Sequence, residues 1–149
     1  MYGVNNTIST YLEANWEETF PGTADVTFSA DYPGLDENAT YPQIVVDQLP
    51  GDTAIHKWIT TGVTRIIHTT EIVVYLKPVN ETPSEILNAK LKFRNMMSEV
   101  DRIILGNRFD ISPFRRVELT QWEPMTDRKA IPLVFVSRQK IKCVYYETS

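Results

Sequence analysis

Residues 82–106 read TPSEILNAKLKFRNMMSEVDRIILG. Thr82-Pro83-Ser84-Glu85 has the form of a capping box, with proline at the first helical position, where its missing N–H costs little. In such a box Thr82 accepts from the Glu85 amide and Glu85 reaches back to the Thr82 amide. Ile86, Ala89, Phe93, Met96, Met97, Val100, Ile103 and Ile104 then recur at threes and fours. Asn88, Lys92, Asn95, Glu99 and Arg102 line the opposite side, and Gly106 stands where a left-handed C-cap is wanted. About 23 residues of helix span roughly 35 Å. Positions 86, 89, 93, 96, 100 and 103 also keep heptad spacing, over barely three heptads. The stripe therefore predicts a helix packed on a sheet.

Upstream of this helix the sequence predicts strands. Ala54 to Leu76 is rich in Ile, Val, Thr and Trp, all strand formers. A long hairpin is expected, about Ile55 to Ile59 and Val63 to Lys77, with Thr60, Thr61 and Gly62 at its tip and part of it projecting from the body. Pro42 to Leu49 reads as a strand with its proline at the start, where a lost donor does little harm. Ala24 to Ala30 alternates, with Val26 and Phe28 on one face, and Asp31-Tyr32-Pro33-Gly34 turns the chain. Ile8, Leu12, Asn15/Trp16 and Thr19 keep helical spacing, so a short helix is expected from about Ser9 to Thr19, capped by Thr7 or Ser9 and ended by Pro21-Gly22.

Downstream, Arg115 to Glu123 alternates and reads as a strand. Pro124 to Lys129 reads as a turn. Ile131 to Val136 is a continuous apolar run that suggests a central strand, and it carries on to Ile141–Tyr146. The expected order is α-β-β-β-β-α-β-β. The expected fold class is α+β: one domain over residues 1–149, a mainly antiparallel sheet with the long helix on one face, a short N-terminal helix and a long β-hairpin.

The composition fits that expectation. A chain of 149 residues with 42% apolar content can bury a core without disulfides or metal. Its single cysteine, Cys143, admits no intrachain disulfide and suits a reducing compartment. MYGVNNTIST has neither the basic start nor the apolar centre of a signal peptide, and no apolar run approaches membrane-span length. The sequons at Asn5, Asn38 and Asn80 are accordingly read as chance.

Charge is distributed unevenly. Residues 1–56 hold nine acidic residues and no Lys or Arg; residues 57–149 hold fifteen basic and ten acidic residues, within a total of −4. An acidic face on one copy meeting a basic face on the next would steer association and suit head-to-tail contacts, which close into rings.

Motifs for chemistry are missing. His68 and Glu71 have H-x-x-E spacing, but on a strand positions i and i+3 point to opposite faces. Asp52 lies near His56 without further support. Cys143 reads as a buried, inert thiol. No nucleophile elbow, P-loop or G-x-G-x-x-G occurs. Glu17-Glu18 and Asp36-Glu37 lack the apolar setting that would raise a carboxyl for acid catalysis. Lys90, Lys92 and Arg94 read as a solvated helix face; the acidic total and the absence of an aromatic-interleaved basic stripe argue against nucleic-acid binding. Arg115-Arg116 belongs sooner at a protein interface, because arginine tolerates partial burial against carboxylates. No catalytic, metal or cofactor residue is named, and the chain is not expected to be an enzyme. The candidate interface residues are Arg115, Arg116, Thr60, Thr61, Gly62 and Arg65.

The order of elements carries a resemblance. Tyr41-Pro42-Gln43-Ile44-Val45-Val46, then Ile72-Val73-Val74-Tyr75-Leu76 feeding the helix at 83–105, then Trp122-Glu123-Pro124-Met125-Thr126-Asp127, Ile131–Val136 and Ile141–Tyr146 resemble the tail-terminator and tail-completion proteins of long-tailed viruses of bacteria and archaea. The likeness covers nearly the whole chain, on apolar patterns and a late Asp turn. It implies a structural virion protein, made in the host cytoplasm, that forms a homohexameric ring at the head-proximal end of the tail tube. The implied partners are further copies, the tail tube protein and the head connector or neck protein, with DNA passing through the lumen without specific binding and no membrane involved. Two other readings stand beside it: another neck, head-tail joining or tube-type subunit, and a small ligand-binding domain or enzyme whose site forms only in three dimensions.

Overall fold

Val63–Leu76 and Phe135–Thr148 pair antiparallel over their full 14 residues, from Val63↔Thr148 to Leu76↔Phe135, and everything else is arranged around that pair. The computed structural model describes residues 3–17, 25–31, 40–47, 55–60, 62–126 and 133–148, the side chains of 55–60 excepted. In chain order these form α1 (Val4–Asn15), β1 (Thr27–Ala30), β2 (Gln43–Asp47), β3 (Ile55–Thr60), β4 (Val63–Leu76), α2 (Pro83–Gly106), β5 (Arg116–Leu119), β6 (Glu123–Pro124) and β7 (Phe135–Thr148). The sheet order is β1-β2-β4-β7-β5, with β3 also on β4 and β6 also on β7. The fold is thus α+β with a mostly antiparallel sheet, as the pattern predicts; only β1 and β2 run parallel among the described pairs.

Strand periodicity sorts the side chains. Ile66, Thr70, Ile72, Val74 and Leu76 of β4 share a face with Phe135, Ile141, Cys143 and Tyr145 of β7 and with Ile44 and Val46 of β2. Both helices pack on this face. From α2, Ala89, Phe93, Met96, Val100, Ile103 and Ile104 enter the core, with Ile86 and Met97 partly buried beside it. From α1, Val4, Ile8 and Leu12 join them. Each fully buried aliphatic chain contributes about 1.5–3 kcal/mol of transfer free energy.

Several local details depart from the sequence pattern. The first helix spans Val4–Asn15, not Ser9–Thr19, because the stripe begins at Val4. Its N-cap is Gly3 in the left-handed region (φ 81), and Thr7 Oγ1 donates back to the Gly3 carbonyl at 2.9 Å from inside the helix. Ser9 is buried within it. The Thr82–Glu85 capping box does not form: Thr82 Oγ1 instead donates to Asn80 Oδ1 at 2.7 Å. Gly106 is the last helical residue and Asn107 the C-cap, with its Nδ2 on the Ile103 carbonyl at 2.8 Å. Glu99, assigned to the polar side, has no exposed surface.

The strands show further differences. The long hairpin exists, with Gly62 at φ 85 in its turn, but β4 is paired with β7 to its very tip, so no lone arm projects. The predicted strand Arg115–Glu123 breaks after Leu119. Thr120 turns both its amide (3.1 Å) and its hydroxyl (2.9 Å) onto the Lys140 carbonyl, and pairing resumes at Glu123 and Pro124, the latter the first residue of the predicted turn. The remaining predicted turns near 21, 33 and 128 lie outside the described residues, as do Glu18, Thr19 and 131–132.

Candidate assembly interface

The end of the sheet at Gly62 gathers most of the candidate interface residues. On the face away from the helices, Arg65 of β4 lies opposite Tyr146 of β7. Arg115 precedes β5, its amide donates to the Val144 carbonyl at 2.7 Å, and its guanidinium lies 5.7 Å from the Tyr146 ring centroid. Arg116, opposite Val144, pairs with Glu118 at 2.9 Å while both stay exposed, an arrangement of small energetic weight. Gly62 closes this same end; Thr60 is in register with Val63; Thr61 lies outside the described residues.

Residues absent from the sequence-based set, exposed Phe109 and Tyr146 above all, complete the corner. After α2 the chain turns through Asn107 to Asp110, with the Asp110 amide on the Asn107 carbonyl at 2.8 Å. The turn leaves Phe109 60% exposed, with the Arg108 guanidinium 5.1 Å from its ring centroid. Phe109, Asp110, Pro113, Phe114, Arg115 and Tyr146 line an open groove there. Tyr146 is 42% exposed, whereas Phe114 is buried and packs on Tyr145 at 6.0 Å. Spacing along the chain hides this grouping, since residues 109, 115 and 146 meet only through the β5–β7 pairing.

The acidic segment sits at the other end. α1 packs by β1 and β2, and β1 ends the strand order opposite β5. Glu13, Glu17, Asp25 and Asp31 are exposed along that edge. Asp31 also accepts from Asn5 Nδ2 at 2.5 Å, which ties the end of β1 to α1.

Between the two ends, the face away from the helices carries buried Val45, Glu71 and Val73 and a set of short-range ion pairs. Arg138 reaches Glu71 at 3.4 Å and Glu123 at 2.8 Å. The bond and charge of Arg138 hold the Glu123 carboxyl below its ordinary range.

The β4–β7 register fixes where His68 and Cys143 stand. His68 and Glu71 fall on opposite faces, as strand geometry requires. His68, however, stands directly across from Cys143, a nucleophile and a base brought together from distant sequence. Burial pushes the Cys143 thiol up to about 12, the reverse of activation. Among the described residues no cluster of three His, Cys, Asp or Glu could hold a metal, and no helix is long and apolar enough to cross a membrane.

Comparison with known protein families and with curated proteins finds no match for the chain.

Proposed function

We propose that this protein is a structural virion component of the tail-terminator type, whose copies join head to tail into a ring at the head-proximal end of the tail tube and link it to the head connector. One observation carries the reading: the sheet order sets an acidic edge, built from a first third of the chain without Lys or Arg, at the end opposite the arginine-bearing β5. A surface with unlike ends is suited to a heterologous contact, and a heterologous contact repeated with a fixed rotation closes into a ring. Complementary fields at such contacts raise the association rate and set the register. In this reading the further partners are the tail tube protein and a neck or connector protein, and the location is the virion.

Native mass measurement and light scattering on the purified chain, alone and mixed with a tail tube protein, test the proposal. The expected result is a closed ring, a hexamer by the resemblance, formed alone or on addition of the tube protein. A strict monomer under both conditions overturns it.

A further inference from the structure

We propose that the groove lined by Phe109, Arg115 and Tyr146, with Arg108 over the Phe109 ring beside it, is a socket that receives the acidic α1–β1 edge of a second copy of this chain. The inference rests on the head-to-tail reading and assigns its contact. Its basis is how the arginines are used. Arg102, Arg116 and Arg138 each hold a carboxylate of their own chain. Arg108 and Arg115 hold none among the described residues; each lies over an exposed aromatic ring instead. A ring covers one flat face of a guanidinium and leaves the N–H groups on its edge free to fork onto an incoming carboxylate. Stacking also restricts the side chain, so less rotamer freedom is lost when the carboxylate arrives. Asp110 is the one carboxylate among the lining residues.

The occupant follows from charge and topology. The opposite edge of the sheet offers exposed Glu13, Glu17 and Asp25 and no Lys or Arg of its own through residue 56; Arg102 of α2 reaches it at the Asn15 carbonyl, beside Glu17, but is already engaged by Glu99. Two sockets brought together by a two-fold axis would set guanidinium against guanidinium, which disfavours a symmetric contact. Exposed aromatics flanked by arginine are also the composition of an interface centre.

The experiment measures self-association by sedimentation at low and high salt for three preparations: Arg108→Glu with Arg115→Glu, Glu13→Lys with Glu17→Lys, and an equimolar mixture of the two. Each double reversal is expected to weaken association at least about tenfold at low salt. The mixture is expected to recover it, because each reversed surface then meets a reversed mate. Arg94→Glu, on the outer surface of α2, is expected to assemble like the unsubstituted chain, and circular dichroism checks folding throughout. If a reversal variant fails to fold, Arg108→Gln with Arg115→Gln gives the same reading with a smaller perturbation. An unsubstituted chain that associates, with reversal variants that associate equally well, overturns the socket and leaves the ring reading standing. An unsubstituted chain that stays monomeric alone and with tube protein overturns both. Binding of a single-stranded oligonucleotide that is lost in Arg108→Glu/Arg115→Glu, with self-association unchanged, assigns the groove to nucleic acid and overturns the proposal.

Discussion

Arg102 sets two guanidinium nitrogens on the same oxygen of Glu99, Nε at 2.8 Å and Nη2 closer still, and reaches past it to the Asn15 carbonyl at 3.1 Å. The Glu17 amide approaches that same Glu99 oxygen at 3.4 Å. A charged pair one turn apart on α2 thereby holds the last turn of α1, whose carbonyls have lost their helical partners. Glu99 is wholly buried, while the Arg102 side chain is 35% exposed.

That asymmetry predicts unequal losses. Arg102→Met strands a buried carboxylate and should cost about 3–5 kcal/mol, the usual penalty for breaking a buried pair by one partner. Glu99→Gln leaves an arginine that can turn to water and should cost distinctly less. Urea midpoints of the two variants decide the point; equal losses would mean that burial of Glu99 does not rest on its bond from Arg102.

Asp101, two residues along the same helix, is placed differently. Both its oxygens accept from Trp122 Nε1 at 3.1 Å. Burial nevertheless outweighs the bonds from Trp122 and Gln139 and raises its carboxyl above 3.8. A folded chain that holds this proton longer than the unfolded chain is stabilised by it below the unfolded value, and that contribution is lost as pH rises through the folded value. Asp101→Asn should therefore flatten the stability profile on the acid side of neutrality while keeping an acceptor for Trp122. Denaturant midpoints across that range, compared with those of the parent chain, give the slope directly.

The two carboxylates also show where sequence reading succeeds and stops. The α2 stripe is legible because Met96, Val100 and Ile103 repeat at helical spacing. Glu99 lies within that stripe, three residues after Met96 and four before Ile103, yet its charge marks it as solvent-facing until α1 is known to end beside it. The capping box is lost to a rival two residues upstream, Asn80, whose side chain takes both the amide (3.0 Å) and the hydroxyl of Thr82. Long strands at 63–76 and 135–148 are legible from their apolar and β-branched content, but their pairing needs the register. The same limit applies to the interface: Arg115-Arg116 stands out as a pair, whereas Phe109 and Tyr146 become its neighbours only through β7.

Cys143 gives a prediction with a control built in. A thiol with no exposed surface, pushed up to about 12, should react with a maleimide only as fast as the sheet opens, and completely once the chain is unfolded in guanidinium. His68→Ala should leave the native labelling rate at or above that of the parent. A slower rate in that variant would show the histidine activating the thiol across the β4–β7 pair.

Thr70 is a buried polar residue whose role can be isolated by a change of nearly equal shape. Its hydroxyl has no exposed surface and lies between Asn5 Oδ1 and the Asp47 carbonyl, the latter at 2.7 Å. One proton cannot serve both oxygens at once, so it alternates between them or favours one. Asn5 in turn passes its Nδ2 to Asp31. The middle of β4, the end of β2 and the start of α1 thus meet at the Thr70 hydroxyl, and Asn5 extends the network to the residue after β1. Thr70→Val fills the same space and removes the donor, leaving at least one buried acceptor unsatisfied, at a cost of about 1–3 kcal/mol. Because packing is preserved, the urea m-value should not change, and the loss should appear wholly in the midpoint. Asn5→Ala in the Thr70→Val background should then cost less than it does alone, since the two groups belong to one network. Simple additivity would place Asn5 and Thr70 in separate interactions and remove the hydroxyl as the link between the acidic edge and the central strand.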